Sequence, residues 1–234
     1  MRYLFDGFIK AGVLLFTGDA QTYSAVFTTL KVSILSIIVS LAIGIPAGFF
    51  LGYLDFTGKK QIRAVVDTLL ALPTVVVGLF VYALISQQGP MGSLGLLYSI
   101  PGIAFAQTVL VLPIVISLTA TAVESADRRL KMTIYTLGAR GRQIVFTTLI
   151  EVRFAVLTAA VTAYGRAISE VGISMMIGGN IKWHTRTITT AIALETGKGD
   201  FAMGISLGMV LLLIAFLINW VLLVLKRNSQ RGSM

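Results

Sequence analysis

Five apolar stretches, each long enough to cross a bilayer, limit what this chain can fold into more than any other feature. They run from about Ala25 to Leu54, Ala64 to Ile85, Ile100 to Val123, Phe154 to Ile177 and Ala202 to Leu225. A hydrocarbon core ~30 Å thick needs roughly 20 apolar residues in a helix. No water there can satisfy a backbone N–H or C=O, so each stretch must close its own hydrogen bonds as a helix. Only 12% of the residues are charged, about half of what soluble domains carry. The expected fold is an all-α integral membrane protein with about five transmembrane helices.

Charge orients these spans. Twelve of the nineteen Lys and Arg fall in three polar stretches: Lys59, Lys60 and Arg63; Arg128, Arg129, Lys131, Arg140, Arg142 and Arg153; and Lys226, Arg227 and Arg231. Even numbers of spans separate the three, so they share a side, and the positive-inside rule makes that side the cytoplasm. The N-terminus is then outside and the C-terminus inside. A net charge of +9 points to nucleic acid in a soluble domain. These stretches offer few interleaved aromatics, and no nucleic-acid partner is expected.

Residues 1–24 form an N-terminal interfacial segment, residues 25–225 the transmembrane domain and residues 226–234 a cytoplasmic tail. In the first, Tyr3, Leu4, Phe5, Phe8, Ile9, Val13, Leu14, Leu15 and Phe16 recur near helical spacing with Asp6 and Lys10 between them. That run is too short to span and reads as an amphipathic interfacial helix. It does not read as a secretory signal, because Lys10 interrupts it and no small-x-small site follows.

Within the spans, Gly44, Gly48 and Gly52 make a small-residue face that admits a second helix closely. Pro46, Pro73, Pro101 and Pro113 mark bends. Asp67 lies near the inner end of its span, within reach of a Lys or Arg. Neither a catalytic residue nor a metal site is expected. There is no cysteine, His184 is the single histidine, and no Ser/His/Asp set or phosphate-binding loop occurs.

The basic stretch Ala126–Arg153 is the longest polar interruption. Helical residues precede Thr136, Leu137, Gly138, Ala139, Arg140, Gly141 and Arg142, and an apolar run follows. Glycine breaks a helix without steric cost, so the stretch reads as a cytoplasmic helix-turn-helix pivoting on Gly138. It resembles the cytoplasmic loop of type I ABC importer permeases, keeping the glycine of their Glu-Ala-Ala-x-x-x-Gly motif. It departs from it at Met132–Ile134 and Glu151. The resemblance is fuller in Tyr164–Gly172, Gly178–Ile181 and Thr185–Ile192, where an aromatic-x-Arg-Ala-x-x-Glu-x-Gly run precedes Gly-Asn-Ile and Thr-x-Thr. This wording is similar to the molybdate, tungstate and sulfate permeases, and most similar to the tungstate branch.

The resemblance covers about residues 25–225. It implies a type I importer fold with a cytoplasmic coupling helix, in the multi-pass inner membrane of a prokaryotic cell. It also implies a homodimer with a second permease copy, two cytoplasmic ABC ATPase subunits and an extracytoplasmic oxyanion-binding protein. No cofactor is expected in this chain; ATP and Mg belong to the partner ATPase, and the ATPase-coupling residues are Thr136–Arg142. The expected function is ATP-driven import of a tetrahedral oxyanion by alternating access, with tungstate first and molybdate or sulfate as alternatives. An ATPase-independent carrier is the rival class. It is disfavoured because no internal repeat shows and one carboxylate lies at mid-depth.

Arg166 lies ~20 Å along its helix from Arg153 at about 1.5 Å per residue. That places it near mid-membrane, where a charge faces protein or a water path. Glu170 follows on the same face. Two roles fit: an ion pair that fixes packing or gate states, or an arginine that touches the passing oxyanion. Asn180 joins them as a translocation-path residue. Lys182, His184, Thr185, Arg186 and Thr187 form the outer mouth or the docking face for the binding protein. Two readings of them stay open, because a solvated loop with a surface helix fits equally well.

Overall fold

The computed structural model describes residues 9–14, 16–126, 133 and 136–231, with side chains through 220 and at Val224. These residues are helical throughout, apart from turns and loops. Residues 1–8, 15 and 127–132 lie outside the described residues, as do 134, 135 and 232–234. So do Arg128, Arg129, Lys131, Met132 and Ile134 of the basic stretch, and most of the proposed interfacial run. The side chains of Lys226, Arg227 and Arg231 are likewise not described.

Helix α1 spans Ala20–Tyr53. It starts five residues before the expected boundary because Asp19 caps it, its Oδ2 accepting Thr22 N–H at 2.8 Å. That satisfies one of the orphan donors of a first turn. At 1.5 Å per residue α1 is about 51 Å long, so it outruns the bilayer core. Helices α2 (Lys59–Leu70) and α3 (Thr74–Ile85) follow. The bend expected at Pro73 within Ala64–Ile85 is a full break between two helices, and the first of them begins at Lys59, before the expected boundary. Pro73 lacks an N–H and sits in extended backbone as the N-cap of α3, which interrupts the ladder.

A short 3-10 turn, Gly92–Leu94, leads into α4 (Ile100–Glu124). Next come α5 (Gly141–Glu151) and α6 (Arg153–Ile168), bent by 69° at Val152. The expected helix over Phe154–Ile177 is also two pieces, α6 and α7 (Gly172–Gly178). Gly179, at φ 68°, ends α7 as the sequence suggested. Helices α8 (Ile188–Gly197) and α9 (Phe201–Arg231) complete the chain. Among the described residues three helices are long and apolar enough to cross a membrane, and the count becomes five if each bent pair is one span.

The chain divides into two compact units. One comprises Met1–Ser36, Pro73–Leu110 and Tyr164–Met234. It has two apolar clusters. Val32, Val77, Val81, Ile85, Ile103, Ile173 and Ile177 make the first. Ala25, Ile188, Ala191, Leu207 and Val210 make the second, joining α1, α8 and α9. Gly78 of α3 faces α7 tightly: a Cβ there would come within 3.0 Å of Met176 Sδ. At the start of α9 the Met203 N–H bonds Asp200 Oδ1 at 2.9 Å. That bond, with Lys10 nearby, holds the Asp200 carboxyl below its ordinary range.

The other unit comprises Ile37–Leu72 and Val111–Ala163. Its axis is the contact of α1 with α4 through Gly44, Gly48 and Gly52. A Cβ on Gly48 would lie 2.7 Å from both the Ile116 carbonyl oxygen and Thr119 Cβ, and one on Gly52 would lie 2.5 Å from the Ala120 carbonyl oxygen. The small-residue face read from sequence is therefore a backbone-to-backbone approach. Polar contacts tie α2 to α4. Lys59 and Arg63 both reach Glu124, at 3.4 and 3.5 Å. Asp67 pairs with Arg63 at 3.4 Å and accepts Ser117 Oγ–H at 2.8 Å. Half-exposed pairs of this kind add little singly; they fix how α2 leaves the bundle.

Gly48→Leu tests the close approach. Overpacking at such a contact is expected to cost about 1–3 kcal/mol, read as a lowered thermal midpoint of the detergent-solubilised protein. Gly208→Ala in α9, where a Cβ meets nothing within 4 Å, should leave the midpoint unchanged. Equal midpoints for the two variants would refute the packing account.

Candidate functional site

Two groups of sequence-singled residues are placed by the structure, one in each unit. In the second unit, the Leu137 N–H bonds Thr133 C=O at 3.1 Å, which closes a helical turn. Gly138 then takes φ 74°, a left-handed conformation that L side chains enter only at a cost. Arg140 starts α5. Its N–H donates to Gln143 Oε1 at 3.0 Å, and its C=O accepts Gln143 N–H at 2.8 Å. Ile144, Thr148 and Val152 are buried against the unit. The opposite face is open, with Leu137 80% and Phe146 67% exposed. Thr136, Arg140, Gly141 and Arg142 are exposed as well, and Ala139 is half-buried. The glycine turn therefore presents an apolar tip flanked by two arginines. The sequence reading named the arginines and Leu137 but did not single out Phe146 for its exposure.

In the first unit, Arg166 in the last turn of α6 donates through Nη1 to Glu170 Oε2 at 2.8 Å. The two side chains differ sharply in access: 35% of Arg166 is exposed against 3% of Glu170. Among the described residues this is the bond the guanidinium makes, so other N–H groups of its fork remain available. The second carboxylate oxygen accepts the Ile173 N–H at 3.1 Å. Glu170 thus holds the start of α7 while it pairs with α6. Its carbonyl accepts Thr189 Oγ–H at 2.9 Å and Ser174 Oγ–H at 3.3 Å. These bonds account for the break between α6 and α7: side chains take over peptide groups that a continuous helix would have used.

Asn180 is braced within its own loop. At φ 50° it gives Nδ2–H to the Thr190 carbonyl at 3.4 Å and takes Arg186 Nε–H on Oδ1 at 3.2 Å. The structure therefore bonds Asn180 to Arg186 and Thr190, and bonds Glu170 to Arg166. Thr185 and Thr187 are buried. Thr185 Oγ–H donates to the Gly178 carbonyl and accepts Ile181 N–H at 3.1 Å. Thr187 caps α8, accepting Thr190 N–H at 3.3 Å. Lys182 and His184 are exposed and Arg186 half-exposed. Trp183 stands outward at φ 67°, with Lys182 Nζ 5.3 Å from its ring.

One polar group inside the spans escaped the sequence reading. Gln107 of α4 is 2% exposed. Its Nε2–H reaches Ser174 Oγ at 3.4 Å, and its Oε1 faces Ser36 Oγ at 3.3 Å. An amide in the middle of an apolar run was the available signal, since such a group must find partners.

Comparison with known proteins gives this arrangement its family. The chain is 48% identical over 228 residues to the tungstate uptake system permease protein TupB of Campylobacter jejuni, covering 97% of this chain and 95% of that protein. It is 30% identical to the molybdenum transport system permease protein ModB of Escherichia coli K12, covering 89% and 97%. Its fold matches a chain of the MetNI methionine ABC transporter in an inward facing conformation, with TM-score 0.72 at 18% identity, over 89% of this chain and 95% of that one. Residues 44–231 match the binding-protein-dependent transport system inner membrane component family, and the chain, a multi-pass membrane permease with the type I ABC importer fold, belongs to that family.

Proposed function

We propose that this chain is the permease subunit of an ATP-driven importer whose cargo is a tetrahedral oxyanion, tungstate. The observation that carries the reading is the 48% identity to a tungstate uptake permease across 97% of the chain. Molybdate permeases are more distant, at 30%. The working complex contains a second copy of this chain, two cytoplasmic ATPase subunits that hold ATP and Mg, and an extracytoplasmic binding protein. The N-terminus is outside and the C-terminus inside. With α1 beginning at Ala20 and α9 running to Arg231, the permease takes in both of these helices whole.

The ATPase takes hold at Thr136–Arg142. Leu137 and Phe146 offer exposed apolar surface there, and the Gly138 turn sets the angle at which α5 meets it. Closure of the ATPases moves this element and rocks the spans between inward and outward states. The energy that shifts the two states comes from partners that bind them differently. Arg166 and Glu170 form the ion pair that fixes the gate states, and Arg166 is its exposed half, the half nearer to a passing oxyanion. Glu170 offsets its charge, so an anion is admitted without being trapped. Lys182 and Arg186 give the outer loop its positive character, His184 adds an exposed imidazole, and Thr185 and Thr187 hold that loop in shape.

Three measurements on the complete transporter in proteoliposomes test this. With ATP inside and the binding protein outside, labelled tungstate should accumulate and resist competition by equal molybdate or sulfate. Accumulation driven by an ion gradient without ATPase would remove the transporter class. Gly138→Val should lower uptake about tenfold or more, because a branched residue in left-handed backbone costs roughly 1–3 kcal/mol. Undiminished uptake and ATPase association would reject the coupling role. Arg166→Ala leaves Glu170 buried without its cation, a loss of about 3–5 kcal/mol in comparable pairs, and should abolish uptake. Arg166→Ala/Glu170→Gln should recover a substantial part of it. A double variant as inactive as the single would mean that Arg166 is needed for itself and not only as half of a pair.

A further inference from the structure

We infer that Gln107 is a positioning residue for the Arg166–Glu170 pair. This inference rests on the reading of that pair as a gate. Five residues of the same unit, on α1, α4, α6, α7 and the α6–α7 break, form a directed chain. The Ser36 hydroxyl of α1 lies between the Ser33 carbonyl, at 2.9 Å, and Gln107 Oε1, at 3.3 Å. Gln107 Nε2–H donates to Ser174 Oγ of α7 at 3.4 Å. Ser174 Oγ–H donates to the Glu170 carbonyl at 3.3 Å. The Glu170 carboxylate then holds Arg166 at 2.8 Å.

Each link has a physical reason. Gln107, Ser36 and Ser174 are almost wholly buried, so no water replaces a missing partner, and a bare amide there is costly. Ser174 has one proton. While it accepts from Gln107, that proton is directed at Glu170. The peptide of Glu170 is thus fixed from the core side by Ser174 and from α8 by Thr189. Fixing the peptide fixes where the carboxylate points. Gln107 touches neither Arg166 nor the cargo path through any hydrogen bond described; it acts through α7. Its own bonds, at 3.3–3.4 Å, are longer than ordinary hydrogen bonds, so they can be exchanged when the break between α6 and α7 changes shape. A purely apolar residue would pack α4 against α1 and α7 just as well. It would leave Ser174 free to turn its proton elsewhere.

The test uses Gln107→Leu in the assembled transporter, in the native background and in Arg166→Ala/Glu170→Gln. Leucine keeps most of the volume and removes both polar ends. Uptake should fall about tenfold in the native background, the net worth of a hydrogen bond or two. It should not fall further in the pair-less background, because there is no charge pair left to position. A residue that merely packs helices would cost the same in both backgrounds, and that result overturns the inference, as does a native-background variant with unchanged uptake. If the pair-less protein imports nothing, the gate reading itself fails. Ser174→Ala then decides for Gln107. Equal, non-additive losses for Gln107→Leu, Ser174→Ala and their double uphold the link, and additive losses overturn it.

Discussion

A bilayer core supplies no water, so every peptide group and polar side chain in a span needs a partner within the protein. Much of this structure answers that demand. At Pro73 the ladder cannot continue, and the chain restarts as α3 with extended backbone at the cap. Between Ile168 and Gly172 the freed groups are taken up by side chains: the Glu170 carbonyl by Thr189 and Ser174, the Ile173 N–H by the Glu170 carboxylate. A charged residue is thereby made part of the backbone accounting. The same demand explains the threonines of the outer segment. Thr187 and Thr190 exchange capping bonds, and Thr29 of α1 accepts the Ile188 N–H at 2.8 Å. A helix start that would otherwise carry orphan donors is thus stitched to its neighbour.

The second constraint is what holds the helices together. Lipid tails are as apolar as leucine, so burying one leucine against another inside the membrane gains little from water release. Close van der Waals approach and interhelical bonds must do the work. Gly44, Gly48 and Gly52 bring α1 against α4 until side-chain and carbonyl atoms of α4 occupy the space a Cβ would need. Gly78 does the same for α3 and α7. The exposed apolar residues that remain, such as Phe80, Leu212 and Phe216, are what a membrane protein shows where lipid or another chain covers it. They are not flaws in a core.

Much of this was legible in the sequence, and the gaps have physical causes. Hydropathy counts apolar length, and among the described residues the structure has three helices long enough to span, or five if each bent pair is one span. It is silent on direction, so the break at Ile168–Gly172 was hidden from it, whereas Pro73 marked the bend between α2 and α3. Periodicity did not help, because a helix such as α3, apolar on every face, has no preferred side. Gly138 was readable because only glycine takes its conformation without strain. Arg166 and Glu170 were readable because charges at mid-span are rare. Gln107 was missed because an uncharged amide barely lowers an average taken over twenty residues. The threonines at 185 and 187 were read as solvent-facing because a Thr-rich segment resembles a surface loop. Thr187 is buried as the cap of α8, and Thr185 by its bonds to Gly178 and Ile181.

The unequal access of the Arg166–Glu170 pair bears on how an importer can favour anions without holding them. A lone guanidinium in a low-dielectric path would attract a dianion strongly, and tight binding there would slow release. A pair equally open to the path would present almost no net charge and give little preference. Here the carboxylate is withdrawn to 3% exposure while the guanidinium keeps 35%. If the pair lines the path, as proposed, an approaching anion would meet nitrogen donors first and feel the carboxylate from behind. That arrangement would give preference for sign with weak affinity, as transit requires. Telling one tetrahedral oxyanion from another needs several donors fixed around the ion, and this pair does not provide them. On that argument, selection would belong to the proposed extracytoplasmic binding protein, and the permease would contribute direction.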